Sequence, residues 1–486
     1  MIPFPRSKMR LRALPPLFAF LLWFLSGGGW VVPAGAAGAP DAISPGSRVL
    51  FFGDSITFSG EYGRLAKQWL EERSPGRKLV FTARGRHGDT ARGSLGRVVP
   101  EIVPWRPDWV FVNFGINDAG KVEPADFLRD YRELLDAITR ETGARPAIVS
   151  PVYPDRDTPN PRLEAYTVGL RALARERGLL YVPVYETMRD IRPHLPAGVA
   201  YAPDGVHPNP LGCAIFATAL LDAIGCPPAE GSVELTLPDI RLTRGRKPLP
   251  EPVAFTLPLS TPLRVRSRAF RPEEIAVPRL ASPPTLDGNP EEWAAATPSL
   301  RLRAAEHLLL GIPSGEHPAP EADLWLGYDD EAFYLVVRVR DAVIRHEPGD
   351  GIVNRDGVEI FLDLRPDASA PTAYNARTRH VVQFMPGARS RPGQPVETGN
   401  GDAALAEGAQ AVARMVPGGY EMEFRLPARH FPGGVIAAPF GFDFSVNDVD
   451  ASGSFHSVLQ LRRSGSGSSS FHTAGWGRAV PEVRKE

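Results

Sequence analysis

Cysteine is scarce in this chain: Cys213 and Cys226 are the only two among 486 residues. A disulfide framework is therefore excluded as the basis of the fold. The segment from Leu211 to Ile224 reads as a helix and sets the pair apart. At 1.5 Å per residue it extends about 20 Å, whereas a disulfide needs α-carbons within about 7 Å. Two separate thiols are expected, and neither has the His/Cys cluster of a metal centre. Excess charge is also missing, because 55 Lys and Arg face 56 Asp and Glu. Without a basic block in the mature region there is no electrostatic ground for nucleic-acid binding. Glycine and proline, by contrast, are plentiful at 47 and 51, which predicts many turns rather than a helical bundle. The length calls for at least two domains.

The first residues carry the pattern of an export signal. Lys8, Arg10 and Arg12 precede the apolar stretch from Leu14 to Leu25, and Ala34-Gly35-Ala36-Ala37 suits a small-residue cleavage site. No cysteine follows that stretch, so a lipoprotein signal is not supported. Residues 1–37 are expected to be a signal peptide on a secreted, periplasmic or cell-surface protein, with no membrane association beyond export, the alternative being an uncleaved membrane anchor.

From Arg48 to Ile224 short apolar runs alternate with amphipathic stretches. Val49–Phe52, Leu79–Thr82, Trp109–Phe114, Ala147–Ser150 and Leu180–Pro183 read as strands. Tyr62–Arg73, Pro124–Thr142, Leu163–Arg177 and Leu211–Ile224 read as helices. This predicts a parallel sheet covered by helices, an α/β three-layer domain over 45–227, with functional groups beyond the carboxyl ends of the strands. Residues 228–276 alternate briefly at Val233–Leu237 and Leu263–Arg266. Pro248, Pro250 and Pro252 interrupt them, leaving a linker or a small β extension. Residues 277–480 are a run of strand patterns without long helical periods, the pattern of a β-sandwich. Within them, 464–470 is a Gly/Ser-rich segment expected to be a mobile loop.

Three residue types of one chemistry stand out. Ser55 follows the first strand in Gly53-Asp54-Ser55-Ile56-Thr57, and Asp204-Gly205-Val206-His207 is the chain's single Asp-x-x-His. A serine hydroxyl is a poor nucleophile until a base removes its proton. His207 is the base, and Asp204 can fix its tautomer. Ser55 could also be a plain helix N-cap. At the start of a helix its alkoxide would meet the positive end of the dipole.

These blocks resemble the SGNH (GDSL-type) hydrolase superfamily, whose members carry four such blocks in order. Gly53-Asp54-Ser55-Ile56-Thr57 resembles the first, with its nucleophile at Ser55. His87-Gly88-Asp89-Thr90 resembles the second, Gly115-Ile116-Asn117-Asp118 the third, and Asp204-Gly205-Val206-His207 the last. The resemblance implies ester hydrolysis by Ser55, Asp204 and His207, without metal or organic cofactor. The backbone N–H groups of Ser55 and Gly88 and the Asn117 amide would form the oxyanion hole. Gly88 also suits a turn, and Asp118 an Asx turn with a structural role. The second block lacks the asparagine that members often carry before the glycine, having Ala83 and Arg84 instead, which leaves open how its loop is held. Arg84, Arg86 and His87 are expected on the substrate rim.

The second half resembles family 9 carbohydrate-binding modules, through Pro284-Thr285-Leu286-Asp287-Gly288-Asn289-Pro290-Glu291-Glu292-Trp293 and Asp356-Gly357-Val358-Glu359-Ile360-Phe361-Leu362-Asp363. Sugars stack on exposed aromatics; Trp325, Trp476, Tyr334 and Tyr374 are candidates, with Trp293 and Tyr334 more in keeping with core. Asp356, Glu359 and Asp363 could hold calcium or be a solvated turn. Together the resemblances imply a serine esterase acting on O-acetyl or short acyl groups of carbohydrate, an acylated carbohydrate being the partner. Alternatives are a lipid or thioester hydrolase, or a glycan-binding surface protein with a vestigial hydrolase domain.

Overall fold

The computed structural model describes residues 43–482, apart from 157, 159, 229–230, 245–248, 294–295, 314–317, 347–354, 368–371, 450–454, 462–472 and 474. The expected signal peptide and the Gly/Ser-rich segment lie outside the described residues. Among those described, no helix is long and apolar enough to cross a membrane.

The N-terminal domain is built on five strands: β1 (Arg48–Gly53), β2 (Val80–Gly85), β3 (Trp109–Asn113), β4 (Arg145–Val149) and β5 (Tyr181–Val182). All neighbours are parallel, in the order β2-β1-β3-β4-β5. The strands are apolar on both faces because each face is covered. Val49, Phe51 and Phe111 point to one core with α2 (Glu61–Arg73), α5 (Val184–Ile191) and α6 (Pro210–Ala223). Leu50, Phe52 and Val112 point to the other, against α3 (Pro124–Thr142) and α4 (Pro161–Arg177). The order reverses between β1 and β3, so the crevice of this open sheet lies where Ser55 and Asn117 follow those strands. A one-turn helix, α1 (Ser55–Phe58), follows β1. Between β2 and β3 the chain runs through short turns from Gly93 to Trp105 rather than a regular helix.

Three segments between residues 233 and 268 are extended, the small β extension of the two readings rather than the linker. They form a three-stranded sheet, β6 (Val233–Pro238), β7 (Ala254–Leu257) and β8 (Leu263–Arg268), in the order β6-β8-β7. Leu237, Leu257, Leu263 and Val265 join the same core as α6. Pro250 and Pro252 fall in the connection before β7, where no ladder hydrogen bond is lost. Both cysteines are free and buried.

The C-terminal domain is a β-sandwich. Its five-stranded sheet holds β10 (Leu300–Leu302), β12 (Glu321–Tyr328), β13 (Ala332–Arg340), β18 (Gly419–Pro427) and β17 (Gln410–Val416) in that order. The facing sheet runs β11 (Leu308–Gly311), β20 (Phe455–Gln460), β19 (Phe440–Val449), β14 (Gly357–Asp363), β15 (Val381–Phe384) and β16 (Thr398–Gly401). The strand β21 (Gly477–Pro481) pairs with β19 and also with β9 (Glu274–Val277), so the sandwich recruits a strand from the end of the segment read as a linker or small β extension. Leu324, Phe333, Leu335 and Phe424 of one sheet meet Ile360, Leu362, Phe384 and Phe444 of the other.

Candidate active site

The site grows from the end of β1. Gly53 closes the strand, and Asp54 caps α1 by accepting the Ile56 N–H at 2.9 Å. Ser55 is the first helical residue, 9 % exposed. Because α1 is a single turn, few peptide dipoles add up, so the expected macrodipole shrinks to the free N–H groups at its start.

The partner loop lies 152 positions away in sequence. Asp204 Oδ1 accepts the Val206 N–H at 2.9 Å and the His207 N–H at 2.8 Å, folding residues 204–207 into a turn. The other oxygen, Oδ2, accepts from His207 Nδ1 at 2.7 Å. Downstream, Asn209 caps α6 and donates to the Ala200 and Arg241 carbonyls at 2.7 and 2.6 Å, pinning the loop. His207 Nε2 then stands 2.8 Å from Ser55 Oγ. With Nδ1–H given to Asp204, Nε2 is left to accept the serine proton, a tautomer assigned from the hydrogen-bond network.

The electrostatics suit that arrangement. The hydrogen bond to Asp204 is the main cause that raises the His207 pKa above its ordinary value. Partial burial works against the Asp204 carboxylate, but the bonds from His207 and from the Val206 and His207 N–H groups outweigh it and bring it to about 2. Asp204 is 55 % exposed, so this pair is water-facing.

Two loops bring the remaining predicted residues alongside. Gly115 after β3 has φ +129°, and a Cβ there would lie 2.7 Å from Pro151 Cγ; that tight passage delivers Asn117, whose Nδ2 donates to the Asp89 carbonyl at 2.9 Å. Gly88 has φ +71° and is exposed. Among the described residues its N–H has no partner. His87 packs on Phe58 with ring centroids 4.4 Å apart. Burial and then the nearby His207 charge lower its pKa. Arg84 is half-buried and bonds back to the Ala83 carbonyl at 3.3 Å; Arg86 pairs with Glu101 at 2.9 Å. Asp118 accepts from the Ala91 N–H at 3.1 Å, the structural part expected of it.

Arg97 holds the second-block loop. Its side chain is 3 % exposed and lies over the Phe52 ring at 4.7 Å. Nη1 donates to the Gly53 carbonyl at 3.2 Å and to Asp89 at 2.6 Å, and Nη2 to the Arg84 carbonyl at 3.2 Å and Glu101 at 2.7 Å. One guanidinium thus ties the ends of β1 and β2 to the loop carrying Gly88. Sequence reasoning missed it because an arginine among irregular turns carries no period; its spacing of four to Glu101 was the one available signal. The buried Asp54 was read only as part of the motif. Burial, opposed by its bond from Ile56, pushes its pKa up to about 7.

Comparison with known proteins finds a family match for each half of the chain. Residues 51–215 match the GDSL-like Lipase/Acylhydrolase family, and residues 291–480 the carbohydrate family 9 binding domain-like family. The first of these is a GDSL-like acylhydrolase domain. The protein is a carboxylic-ester hydrolase with an appended family 9-like β domain. An acetylxylan esterase of Geobacillus stearothermophilus is 26 % identical over 214 residues, covering 38 % of this chain and 96 % of the relative. Among solved structures, LAE5, an alpha/beta hydrolase from the metagenome of Lake Arreo, is 26 % identical, with 38 % and 98 % of the chains covered and a TM-score of 0.35. A family 9 module of Caldicellulosiruptor kristjanssonii in complex with cellotriose is 20 % identical, with 44 % and 96 % covered and a TM-score of 0.34.

In the β domain the aromatic platform is not where the sequence pointed. Trp325 is 5 % exposed, packed with Trp293, Tyr334 and Val336, and its Nε1 donates to the Ala296 carbonyl at 3.0 Å. Trp476 is 4 % exposed, against Phe361, Tyr374 and Val381. Both are satellite core, because large rings on strands are drawn under neighbouring segments. The three carboxylates considered for calcium are buried, not a solvated turn. Glu359 accepts from Gln383 and Asn447 at 2.9 and 2.8 Å, and Asp363 from Arg365. Asp356 alone converges with other acids, Asp341 and Asp448; it already accepts the Arg345 and Val449 N–H groups.

Proposed function

We propose that this hydrolase is an exported serine esterase that removes O-acetyl or similar short acyl groups from carbohydrate. The observation that carries the chemistry is the continuous relay from Ser55 Oγ through His207 to Asp204, at 2.8 and 2.7 Å. His207 Nε2 takes the Ser55 proton as Oγ attacks the ester carbonyl, and the carbonyl oxygen becomes the oxyanion. The Ser55 and Gly88 N–H groups and the second N–H of the Asn117 amide receive that charge. On collapse, His207 gives its proton to the departing sugar hydroxyl, leaving the acyl group on Ser55. Water, deprotonated by the same Nε2, then releases the acid and restores the serine. Asp204, with its pKa near 2, stays ionised and keeps the imidazole oriented.

The substrate class rests on two supports. One is the acetylxylan esterase relative, and the other is the carbohydrate family 9 likeness of residues 291–480. Exposure of Asp204, His87 and Gly88 fits a surface site able to meet a polymer. Export rests on the basic, apolar and small-residue pattern of residues 1–37.

Acetate release from acetylated xylan and from p-nitrophenyl acetate tests the reading. Ser55→Ala should abolish both, and a rapid-quench mass shift of one acetyl on the wild-type serine peptide should mark the acyl-enzyme. Full turnover by Ser55→Ala overturns the assignment. Recovery of the protein outside the cytosol with an N-terminus near Ala37 checks export.

A further inference from the structure

We propose that the β domain is a clasp on the catalytic turn, with Ile312 a positioning residue for Ser55. The proposal rests on the esterase reading only for its activity readout.

The contact is made by Gly311, which ends β11, and by Ile312 and Pro313, which follow it. Gly311 N–H donates to the Ser59 carbonyl at 3.2 Å. Ser59 is the C-cap of α1, and a helix end leaves carbonyls that need partners from elsewhere; here one comes from the other domain. Two cations a turn apart on α2 complete the seam. Arg64 Nη1 donates to the Gly311 carbonyl at 3.2 Å, and Lys67 Nζ to the Pro313 carbonyl at 3.3 Å.

Between them Ile312 is 3 % exposed and belongs to the core of the catalytic domain, not to that of the sandwich. Two glycines make room for it. A Cβ on Gly63 would lie 2.6 Å from Ile312 Cδ1 and 2.7 Å from Phe51 Cε2, and one on Gly60 would lie 3.1 Å from Ile312 Cγ1. Ile312 therefore reaches Phe51 through a gap that any side chain at 63 would fill. Phe51 is on the strand that delivers Ser55, and its ring meets Tyr62 at 5.2 Å. Tyr62 in turn shares a 3.0 Å hydrogen bond with Thr57, two residues after Ser55. A side chain of the second domain thus packs against the residues that hold the catalytic turn. Burial of this kind is dense, and loss of one aliphatic group is transmitted to its neighbours.

The test uses the full chain, with Ile312→Ser, Ile312→Val, and Met415→Ala on the exposed face of β17 as control. Turnover of p-nitrophenyl acetate, a substrate too small to need a glycan-binding domain, is measured at 25 °C beside the unfolding temperature. Ile312→Ser should lower kcat by roughly ten- to a hundredfold, as displaced catalytic geometry does, with KM little changed; Ile312→Val and Met415→Ala should stay near wild type. A role confined to stability would lower the unfolding temperature and leave kcat intact, and that result overturns the proposal. Should Ile312→Ser not accumulate as folded protein, amide exchange on Ile312→Val decides. Faster exchange across 56–64 with 332–340 unchanged supports the clasp, and unchanged exchange across 56–64 refutes it. A wild type inactive on every acyl ester would overturn the esterase reading instead, and exchange alone would then judge the clasp.

Discussion

Arg97→Met removes the side-chain bonds that join the ends of β1 and β2 to the Gly88 loop, leaving the Arg86 N–H on the Gly53 carbonyl at 3.2 Å. The guanidinium is buried and meets two main-chain carbonyls and two carboxylates, Asp89 and Glu101, whose side chains are 9 % and 11 % exposed. Breaking a buried pair while its partner charge remains costs about 3–5 kcal/mol. Glu101 keeps Arg86, so the lower end applies, and a domain stable by about 5–15 kcal/mol survives it. The catalytic effect follows from geometry. Asp89 receives Arg97 on its carboxylate and Asn117 on its carbonyl, so releasing the loop displaces the two proposed oxyanion donors, Gly88 and Asn117, together. Loss of one such donor is worth about 10²–10³ in kcat, and Arg97→Met should fall in that range with KM altered less. Arg97→Lys offers a compact charge that cannot span four acceptors, and should be intermediate. Steady-state kinetics on p-nitrophenyl acetate and thermal unfolding, run on the same preparations, separate the two effects. A folded Arg97→Met enzyme with kcat within about threefold of wild type, less than 1 kcal/mol of barrier, would refute this account of the loop.

Asp204→Asn keeps the turn but loses the acceptor that sets the His207 tautomer; kcat should drop by about 10⁴ with unfolding little changed. Since His207 must be neutral to accept the serine proton and its pKa is raised, kcat/KM should fall on acidification through a pKa above the ordinary imidazole value; a flat profile from about pH 5 to 8 contradicts this. For stability the signs differ by group. The raised His207 pKa stabilises fully at low pH and the effect is lost as pH rises through it, whereas the Asp204 contribution is lost only as pH falls towards about 2. Asp54, raised to about 7 from 3.8, should make the protein less stable as pH climbs across that interval, and Asp54→Asn should flatten the dependence in chemical denaturation. Trp476→Ala should cost about 3–5 kcal/mol of stability, and any loss of glycan retention in affinity electrophoresis should track unfolding rather than precede it.

The clasp alters how a truncation is to be interpreted. Cutting the chain after Pro278 would strip Ile312 from the catalytic core and Gly311 from the end of α1. Lost acetate release after such a cut would not by itself measure glycan binding. Point substitutions on the β domain remote from β11 avoid that ambiguity.

Much of this protein is legible in one dimension. Val49–Phe52 announces a strand because a parallel strand buried on both faces must be apolar at every position. The Asp204–His207 spacing is legible because three residues suffice for a carboxylate to fold a turn and hold the ring. What lies far apart is not. No local pattern tells that Leu237, Leu257, Leu263 and Val265 share a core with α6, since a leucine in a short strand is silent about which core it enters. Trp325 and Trp476 were misjudged for the same reason: a ring's exposure depends on the segment that covers it. Arg97 was invisible because its value lies in four acceptors gathered from three stretches of chain. By itself, then, the sequence determined the two fold classes and the residue types able to cleave an ester, because those depend on local periodicity and spacing. Only the tertiary structure decided that Ser55 and His207 meet, that a buried arginine holds their loop, and that Ile312 of the second domain walls the first, because each depends on which surfaces are brought together and sealed from water.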